Sequence, residues 1–427
     1  MKNQHLSDCA QPLRLIVQGG GETGKTFLIK ALQAYLRNEQ ITTAPTGIAC
    51  TLTGGQTLHS LFHLQNTKEL SSKNVEKLKL ILNEVKYIII DEFSIVGQRT
   101  FGNVSDRLCE VFSERCNELF AGRSIILFGD IHQLDPVLDT PLYNSSSNLG
   151  KICYDSFDKV AILKINMRQR DDNNYFQILE RVKRGNCTSD DYVLLNKQFI
   201  YPSSHTLDPE MQYLFAENDA CYKHNLKILK LSESSSNPIA LITAKGNYKN
   251  SKPKNNKMFS KFKDIISVGA RVLLTKNLSV KLNLINGSQG VVRHILYYKN
   301  SPPLQPDFVM VEFNDYRGPF FQNNLFPIKP YSKAEGDIFS YAIPLRVSYA
   351  LTVHKSQGLT IPSCIVDLGS KKASIGMTYV AMSRVKRLSD IKFYYFTLNR
   401  INSIKETKQY SERMKEEQRL QSLDFIV

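Results

Sequence analysis

The chain has 427 residues, of which 42% are hydrophobic and 22% charged, and its formal net charge is +15 at pH 7. These values exclude a disordered protein, and the length exceeds one ordinary domain, so we expect two or three compact units. The positive charge favours a polyanionic partner such as nucleic acid. A basic protein without such a partner is the alternative.

Two functional classes are disfavoured by what the sequence lacks. The eight cysteines contain no C-x-x-C pair, which argues against a zinc site and a disulfide framework and favours a reducing compartment. The first residues form no apolar signal core, and no apolar stretch reaches the length of a membrane span. We therefore expect an intracellular protein without a membrane partner.

The first predicted elements are a buried strand at residues 13–17 and a helix at residues 27–36. Between them, residues 19–26 read GGGETGKT and fit the phosphate-binding loop G-x-x-x-x-G-K-[ST]. Backbone N–H groups at the start of a helix attract phosphate, and a lysine adds a full positive charge. An ordinary glycine-rich turn is the alternative. The predicted nucleotide ligands are Gly19, Gly21, Thr23, Gly24, Lys25 and Thr26, with the Thr26 hydroxyl also on Mg²⁺.

Two more apolar runs, at residues 87–90 and 124–128, alternate with helical patterns and predict a parallel sheet covered by helices. The first run ends in Asp91 and Glu92, which we expect on the strand next to the phosphate loop. There Asp91 would act on Mg²⁺ and Glu92 would be the base for the attacking water. An acidic turn without a catalytic role is the alternative. The second run leads to Gln133, whose amide can donate to a γ-phosphate oxygen and accept from water.

The second half of the chain begins with linker-like sequence. Residues 232–237 are rich in serine and residues 245–263 in lysine, which predicts a loop. Short β-type runs follow at residues 272–274, 290–296 and 308–313 and predict a small antiparallel unit. A mixed-charge helix is predicted around residues 404–420.

The string GDIHQL at residues 129–134 resembles the third motif of superfamily one helicases. The ordered series of motifs resembles the PIF/RecD branch of these helicases, including its Helitron transposon-encoded relatives, over nearly the full chain. The matching segments are residues 42–49, 55–60, 166–169, 176–179, 183–185, 214–218 with Asn225, 268–272, 286–290, 350–360 and 379–384. The resemblance implies an α/β fold of two RecA-like P-loop NTPase lobes, with a small wedge insertion in lobe one and a small β-barrel-like insertion in lobe two.

The resemblance also implies domain bounds. Lobe 1A would comprise residues 1–63 and 85–165, with the wedge insertion 1B at residues 64–84. Lobe 2A would comprise residues 166–228 and 339–427, divided by the β-rich insertion 2B at residues 229–338.

Several site residues are implied by the same motifs. Arg168 and Arg384 would stabilise charge on the γ-phosphate from the second lobe, and Gly358 would contact the nucleotide. Surface salt bridges are the alternative for the arginines, and ordinary polar positions are the alternative for the two histidines of the DNA set. The residues expected to bind DNA are Pro45, Thr46, Gly47, Thr57, His59, Asn218, His354, Lys355 and Ser356.

The implied function is an ATP-dependent DNA helicase that uses ATP and Mg²⁺ and moves 5′ to 3′ on single-stranded DNA. Single-stranded and forked DNA would be its partners, and we expect a monomer in the nucleus or another intracellular compartment that contains DNA. Roles in DNA repair, recombination and telomere maintenance follow from the family. Two rival functions are a DNA-stimulated ATPase that unwinds poorly and a degenerate transposon-derived protein that only binds DNA.

The chain departs from the family pattern at two positions of interest. Glu22 stands where glycine is usual, so we expect local strain and weaker nucleotide binding. Asp135 replaces a common proline. Only eighteen residues precede the phosphate loop, which favours a shortened N-terminus without the usual adenine-reading glutamine.

Overall fold

The computed structural model describes residues 11–21, 23–64, 69–201, 207–233, 239–247, 265–279, 281–298, 306–319, 325–335, 338–369, 374–394 and 397–425. Glu22, part of the serine-rich segment and most of the lysine-rich segment lie outside these ranges. The chain divides into two compact units. Unit 1 comprises Met1–Phe199, Gln357–Pro362 and Ser370–Val427, and unit 2 comprises Ile200–Ser356 and Ser363–Gly369.

Helices and strands are labelled along the whole chain. The helices of unit 1 are α1 (Lys25–Leu36), α2 (Gly47–Thr53), α3 (Leu58–Leu61), α4 (Ser72–Leu82), α5 (Gln98–Val111), α6 (Leu149–Asp155), α7 (Asn173–Lys183), α8 (Ser189–Asn196), α10 (Met377–Met382), α11 (Leu398–Asn402) and α12 (Lys408–Ser422). Its strands are β1 (Arg14–Gly19), β2 (Gln40–Ala44), β3 (Gln56–Thr57), β4 (Tyr87–Ile90), β5 (Ser124–Gly129), β6 (Lys159–Leu163), β20 (Ile391–Tyr394) and β21 (Asp424–Phe425).

Unit 2 contains one α-helix within its described residues, α9 (Asn218–Leu231). Its strands are β7 (Gln212–Phe215), β8 (Ala240–Leu241), β9 (Thr243–Asn247), β10 (Ile265–Ile266), β11 (Arg271–Leu274), β12 (Gln289–Leu296), β13 (Phe308–Phe313), β14 (Leu325–Ile328), β15 (Tyr331–Glu335), β16 (Ile338–Ala342), β17 (Leu345–Val347), β18 (Ala350–Thr352) and β19 (Cys364–Asp367).

The main sheet of unit 1 has the strand order β21-β6-β1-β5-β4-β2-β3, and all of its strand pairs are parallel. Alternate residues of a strand point to opposite faces of the sheet, and here the residues on both faces are buried. Tyr87 and Ile89 of β4 pack in one hydrophobic cluster, whereas Ile88 and Ile90 pack in another. The predicted parallel sheet covered by helices is therefore confirmed.

One expectation about this sheet is wrong. Asp91 and Glu92 follow β4, and β5 lies between β4 and the phosphate-loop strand β1. The strand next to β1 is thus the one that leads to Gln133. Local sequence predicts a strand but not its neighbour, because helical crossovers let consecutive strands lie apart in a parallel sheet.

Unit 2 contains an antiparallel sheet with the order β14-β13-β12-β11-β17, which confirms the predicted antiparallel β unit. Strand β7 pairs in parallel with β18 on one side and with β19 on the other. Two further small sheets have the strand orders β15-β16-β9 and β10-β8.

Candidate nucleotide and DNA site

The phosphate loop connects β1 to α1, as the sequence predicts. Gly24 caps α1 with a φ of 90°, a left-handed conformation that a glycine adopts without a Cβ penalty. The Lys25 ammonium is buried and donates to the carbonyl oxygens of Gly19 at 2.7 Å and Gly20 at 2.6 Å. Thr23 Oγ1 also donates to the Gly20 oxygen, at 3.1 Å. The loop therefore folds closely around the lysine, which is the group that phosphate oxygens would attract.

The two carboxylates after β4 lie in different environments. Asp91 is buried, and its Oδ1 accepts from the Glu92 backbone N–H at 2.9 Å. Burial and the neighbouring Glu92 carboxylate raise the pKa of Asp91 to about 7, although the Lys25 charge opposes this shift. Glu92 has a φ of 51° and a ψ of 46°, a left-handed conformation that is strained for a residue with a Cβ.

A cavity of about 400 Å³ within unit 1 brings the predicted catalytic groups together. Two of its buried acceptors, Glu92 Oε2 and Gln133 Oε1, have no hydrogen-bond partner within the described residues. Buried acceptors of this kind need a water or ligand partner. The lining residues are Gly21, Gly24, Lys25, Thr26, Phe27, Ala49, Leu52, Asp91, Glu92, Gln133, Met167, Arg168, Gly358, Thr360 and Arg384.

Both predicted arginines line this cavity and are almost fully buried. Arg168 donates to the Ser383 carbonyl oxygen and, at 3.1 Å, to Thr360 Oγ1. Arg384 donates from Nε to the Val380 oxygen at 2.9 Å and from Nη2 to its neighbour Ser383 Oγ at 2.8 Å. Both guanidinium groups are thus held by oxygen atoms beside the cavity. The assignment of these arginines to a second lobe stays a prediction.

The loop that carries Gln133 is anchored at its start by Asp130. Gln18 Nε2 donates to Asp130 Oδ1 at 3.0 Å, and the Tyr379 hydroxyl donates to Asp130 Oδ2 at 3.1 Å. Burial alone would raise the pKa of Asp130, but the positive charges of Lys183 and Lys25 and the hydrogen bond from the His132 backbone N–H hold it below its usual value. Asp130 therefore stays ionised and can keep both donors.

The donor set of the cavity fits a bound magnesium ion together with a nucleotide. No group of three or more His, Cys, Asp and Glu side chains within the described ranges could hold a metal by itself. Magnesium is usually bound by one or two side chains and by phosphate oxygens, and it keeps several waters. Thr26 and Asp91 both line the cavity and offer such a pair.

The residues predicted to bind DNA occur in both units. In unit 1, Thr46 and Thr57 cap helices α2 and α3 by accepting from backbone N–H groups, and His59 is exposed. Pro45 and Gly47 are half-buried beside Thr46.

In unit 2, Asn218 is exposed at the start of α9, and His354 and Lys355 are half-buried. Burial lowers the pKa of His354. Ser356 needs a correction, because its side chain is fully buried and its Oγ donates to the Val353 oxygen at 2.8 Å. The Ser356 hydroxyl is therefore not presented to DNA in this structure.

Some contacts of the site were not expected from the sequence. Arg413, from the predicted mixed-charge helix, reaches the loop that carries Gln133. The carbonyl oxygen of Gln133 lies against Gly376, where a Cβ would be only 2.4 Å from it. Neither residue carries a local signal, because charged helices are usually solvated and isolated glycines are common.

Comparison with known proteins identifies the relatives of the chain. Residues 8–192 match the family model described as PIF1-like helicase. The sequence is 28% identical over 387 residues to the ATP-dependent DNA helicase Pif1 of Bdellovibrio bacteriovorus, covering 87% of this chain and 82% of that protein. The chain is thus similar to PIF1-like helicases. The predicted link to Helitron-encoded enzymes stays a prediction.

Other relatives of the PIF1-like type are longer than this chain. The sequence is 26% identical to the ATP-dependent DNA helicase PIF1 of Xenopus laevis, covering 95% of this chain and 63% of that protein. For the corresponding protein of Danio rerio the identity is 24%, and 62% of that protein is covered. The chain thus spans about three-fifths of the length of these vertebrate relatives.

Solved structures of PIF1-type helicases share the fold. A Bacteroides Pif1 helicase in complex with ADP-AlF3 and single-stranded DNA gives a TM-score of 0.73 at 23% identity and covers 99% of this chain and 96% of that one. The Pif1 helicase of Candida albicans gives a TM-score of 0.71 at 22% identity, with 95% of both chains covered. The predicted α/β fold with two RecA-like lobes is confirmed, whereas the domain bounds and the two insertions stay predictions.

Proposed function

We propose that the protein is an ATP-dependent DNA helicase that couples ATP hydrolysis to 5′-to-3′ movement on single-stranded DNA and to duplex unwinding. The observation that carries this proposal is the cavity of unit 1, which combines the Lys25 cation, the Asp91 and Glu92 carboxylates and the Gln133 amide. Arg168 and Arg384 line the same cavity. The relatives named ATP-dependent DNA helicases support DNA as the partner.

The residues of the cavity have distinct roles in the proposed hydrolysis. Lys25 and the backbone N–H groups at the start of α1 bind the triphosphate. Thr26 and Asp91 would hold the magnesium ion, which would neutralise charge on the phosphate oxygens when bound. Glu92 accepts a proton from the attacking water, and Gln133 orients that water against the γ-phosphate. Each of these two residues carries a buried acceptor that has no partner among the described residues, as such roles require.

The two arginines and Gly358 complete the proposed nucleotide site. Guanidinium groups stabilise the negative charge that the leaving and transferring phosphate groups share. Arg168 and Arg384 are already held by neighbouring oxygen atoms, so little reorganisation is needed when the nucleotide binds. Gly358 has a φ of 78°, which favours glycine at this position of the cavity wall.

We propose that one short segment couples the nucleotide to DNA. His354 and Lys355 belong to unit 2 and are expected to contact DNA, whereas Gly358 and Thr360 line the nucleotide cavity in unit 1. The chain passes from unit 2 to unit 1 between Ser356 and Gln357. A displacement of this segment on hydrolysis would move the DNA-contact residues, and repeated cycles would step the protein along the strand.

The remaining parts of the proposal follow from the relatives. Single-stranded and forked DNA are the expected substrates, and one solved relative is described at forked DNA with two coordinating Pif1 helicases. Monomeric action of this chain stays a prediction. A protein that acts on DNA inside the cell would reside in the nucleus or another compartment with DNA, with roles in repair, recombination and telomere maintenance.

The test is DNA-stimulated ATP hydrolysis by the purified chain and by Lys25→Ala. We expect the variant to lose hydrolysis, because the Lys25 ammonium supplies the positive charge at the start of α1, where the backbone N–H groups bind the phosphates. Lys30→Ala is the matched control, since Lys30 lies on the same helix and is exposed. Near-normal turnover in Lys25→Ala would refute the nucleotide site.

Strand displacement separates unwinding from translocation alone. We expect the wild-type protein to displace a strand from a duplex with a 5′ single-stranded tail and not from one with a 3′ tail. Hydrolysis without strand displacement on either substrate would favour a DNA-stimulated ATPase that unwinds poorly. DNA binding without any hydrolysis would favour the degenerate DNA-binding protein.

A further inference from the structure

One arginine of the C-terminal helix spans the loop that carries Gln133. Arg413 is 1% exposed, and it donates from Nη1 to the His132 carbonyl oxygen at 3.1 Å. Its Nη2 donates to the Gln133 carbonyl oxygen at 3.0 Å and to Asp135 Oδ1 at 2.7 Å. A single planar guanidinium thus binds the backbone on both sides of Gln133 Cα and the side chain that follows.

The carboxylate of Asp135 completes this contact. Its Oδ1 also accepts from the Tyr143 hydroxyl at 2.7 Å, and Arg413 Nε donates to the same hydroxyl at 3.3 Å. The charges of Arg413 and Asp135 are therefore paired inside a closed hydrogen-bonded group. A buried arginine needs such a partner.

The loop is constrained from a second direction by α10. Gly376, at the start of that helix, has a φ of 80°, and its Cα lies so close to the Gln133 oxygen that a Cβ would overlap it. The Gln133 carbonyl therefore lies between α10 and the Arg413 guanidinium. The Gln133 side chain faces the nucleotide cavity, where its Oε1 has no partner within the described residues.

We propose that Arg413, together with Asp135, is a positioning residue that holds the backbone of residues 132–135 so that the Gln133 amide meets the γ-phosphate and the attacking water. This inference rests on the proposed function of the cavity. The C-terminal helix is then part of the hydrolysis machinery, although it contributes no residue to the lining of the cavity. A misplacement of a catalytic group by about 1 Å lowers a rate by about 10²-fold, so such a support has a measurable effect.

The helix has other contacts that can serve as a control. Tyr154 donates from its hydroxyl to Glu416 Oε1 at 2.8 Å, and Arg419 Nη1 donates to the Phe157 carbonyl oxygen at 3.1 Å. These contacts attach α12 to α6 and the residues after it and do not involve the loop of Gln133. Arg419→Ala therefore weakens the attachment of the helix without removing the support of the loop.

The experiment compares Arg413→Ala, Arg413→Lys, Asp135→Asn and the control Arg419→Ala. We expect Arg413→Ala to lower kcat for DNA-stimulated hydrolysis about 10- to 100-fold while the Kd for ATP changes less than about 3-fold. Arg413→Lys keeps the positive charge but loses the planar guanidinium that binds several oxygen atoms at once. Its kcat should therefore lie between those of the wild type and Arg413→Ala. Asp135→Asn should give a smaller loss, and Arg419→Ala should keep kcat within about 2-fold of the wild type.

A double-mutant cycle with Gln133→Ala tests whether Arg413 acts through Gln133. We expect Arg413→Ala to cause no further loss of kcat in the Gln133→Ala background. Losses that multiply, or an equal loss in Arg419→Ala, would overturn the inference. Amide exchange of residues 131–134 provides a readout without catalysis and should accelerate in Arg413→Ala or Arg413→Lys but not in Arg419→Ala.

The two proposals fail in different ways. If the wild-type protein does not hydrolyse ATP, the proposed function is refuted, and amide exchange alone decides whether Arg413 holds the loop. If the wild-type protein hydrolyses ATP and Arg413→Ala matches it in kcat and in exchange, the nucleotide site stands and the positioning role is refuted.

Discussion

At the scale of single residues, the proposed base combines strain and burial. Glu92 has a left-handed backbone, which costs about 1–3 kcal/mol for a residue with a Cβ. Its Oε2 is buried and has no hydrogen-bond partner within the described residues. Strained residues with unsatisfied acceptors concentrate at functional sites, since the surrounding structure must hold them in place. Glu92 therefore fits a role that depends on where its carboxylate points.

Replacement of Glu92 by Gln tests this role at constant shape. We expect the rate of ATP hydrolysis to fall by at least about 10²-fold, because the amide cannot accept the proton of the attacking water. The Kd for ATP should stay near the wild-type value and can be measured with a fluorescent nucleotide. Glu84→Gln is the control, since Glu84 is exposed. Loss of nucleotide binding in Glu92→Gln would make Glu92 a structural residue.

At the scale of elements, an ionised carboxylate attaches α12 to the rest of unit 1. Arg184 Nη2 donates to Glu417 Oε1 at 2.8 Å, and His132 Nε2 lies 3.5 Å from the same oxygen. The hydrogen bond from His132 and the Arg184 charge lower the pKa of Glu417 from 4.5 to about 2. Burial lowers the pKa of His132, so its imidazole is neutral at pH 7 and acts as a hydrogen-bond donor.

This contact predicts a pH-dependent stability. Because the pKa of Glu417 is lower in the folded protein, its contribution is present above pH 4.5 and is lost as the pH falls toward about 2. Glu417→Gln should lower the free energy of unfolding by about 1–2 kcal/mol at pH 7, after allowance for partial solvent screening. Urea denaturation at pH 7 and pH 3.5 should show a smaller difference at the lower pH.

A second variant of the same helix provides the control for Glu417. Glu412 pairs with the exposed Lys415 at 3.4 Å, so Glu412→Gln should change the free energy of unfolding by less than about 1 kcal/mol at both pH values. An equal effect of the two variants would contradict a special role of Glu417 in attaching α12.

At the scale of the whole molecule, a net charge of +15 favours binding to a polyanion. If the protein binds single-stranded DNA through its phosphates, the affinity should fall steeply with salt. Each neutralised phosphate adds about 0.7 to the slope of log K against log salt on single strands. Backbone contacts carry little sequence information, so oligonucleotides of different base composition should bind alike. A flat salt response, measured by fluorescence anisotropy, would remove nucleic acid as the partner.

The coupling of DNA to the nucleotide site can be tested separately. We expect His354→Ala combined with Lys355→Ala to reduce DNA-stimulated hydrolysis more than hydrolysis without DNA, because these residues precede the lining residues Gly358 and Thr360 on one segment. Lys230→Ala is the control, since Lys230 is exposed at the end of α9 in the same unit. Equal losses with and without DNA would assign the two residues to nucleotide binding instead.

Most residues of the candidate nucleotide site were predictable from local patterns in the sequence. The phosphate loop, the acidic pair after β4 and Gln133 after β5 are local patterns, and a strand followed by a polar group places that group at the carboxyl edge of a parallel sheet. The two arginines carry no such local pattern. They were identified only through the ordered motifs of a family, and the structure brings both to the cavity wall.

The contacts between segments that are far apart in sequence could be seen only in the folded chain. The tertiary structure placed β5 between β1 and β4, buried Ser356, and brought Arg413 to Asp135 across 278 positions of the chain. Periodicity reports which face of an element is buried but not which partner it meets, because that choice depends on the packing of all elements together. The support of Gln133 by the C-terminal helix therefore became visible only in the folded chain.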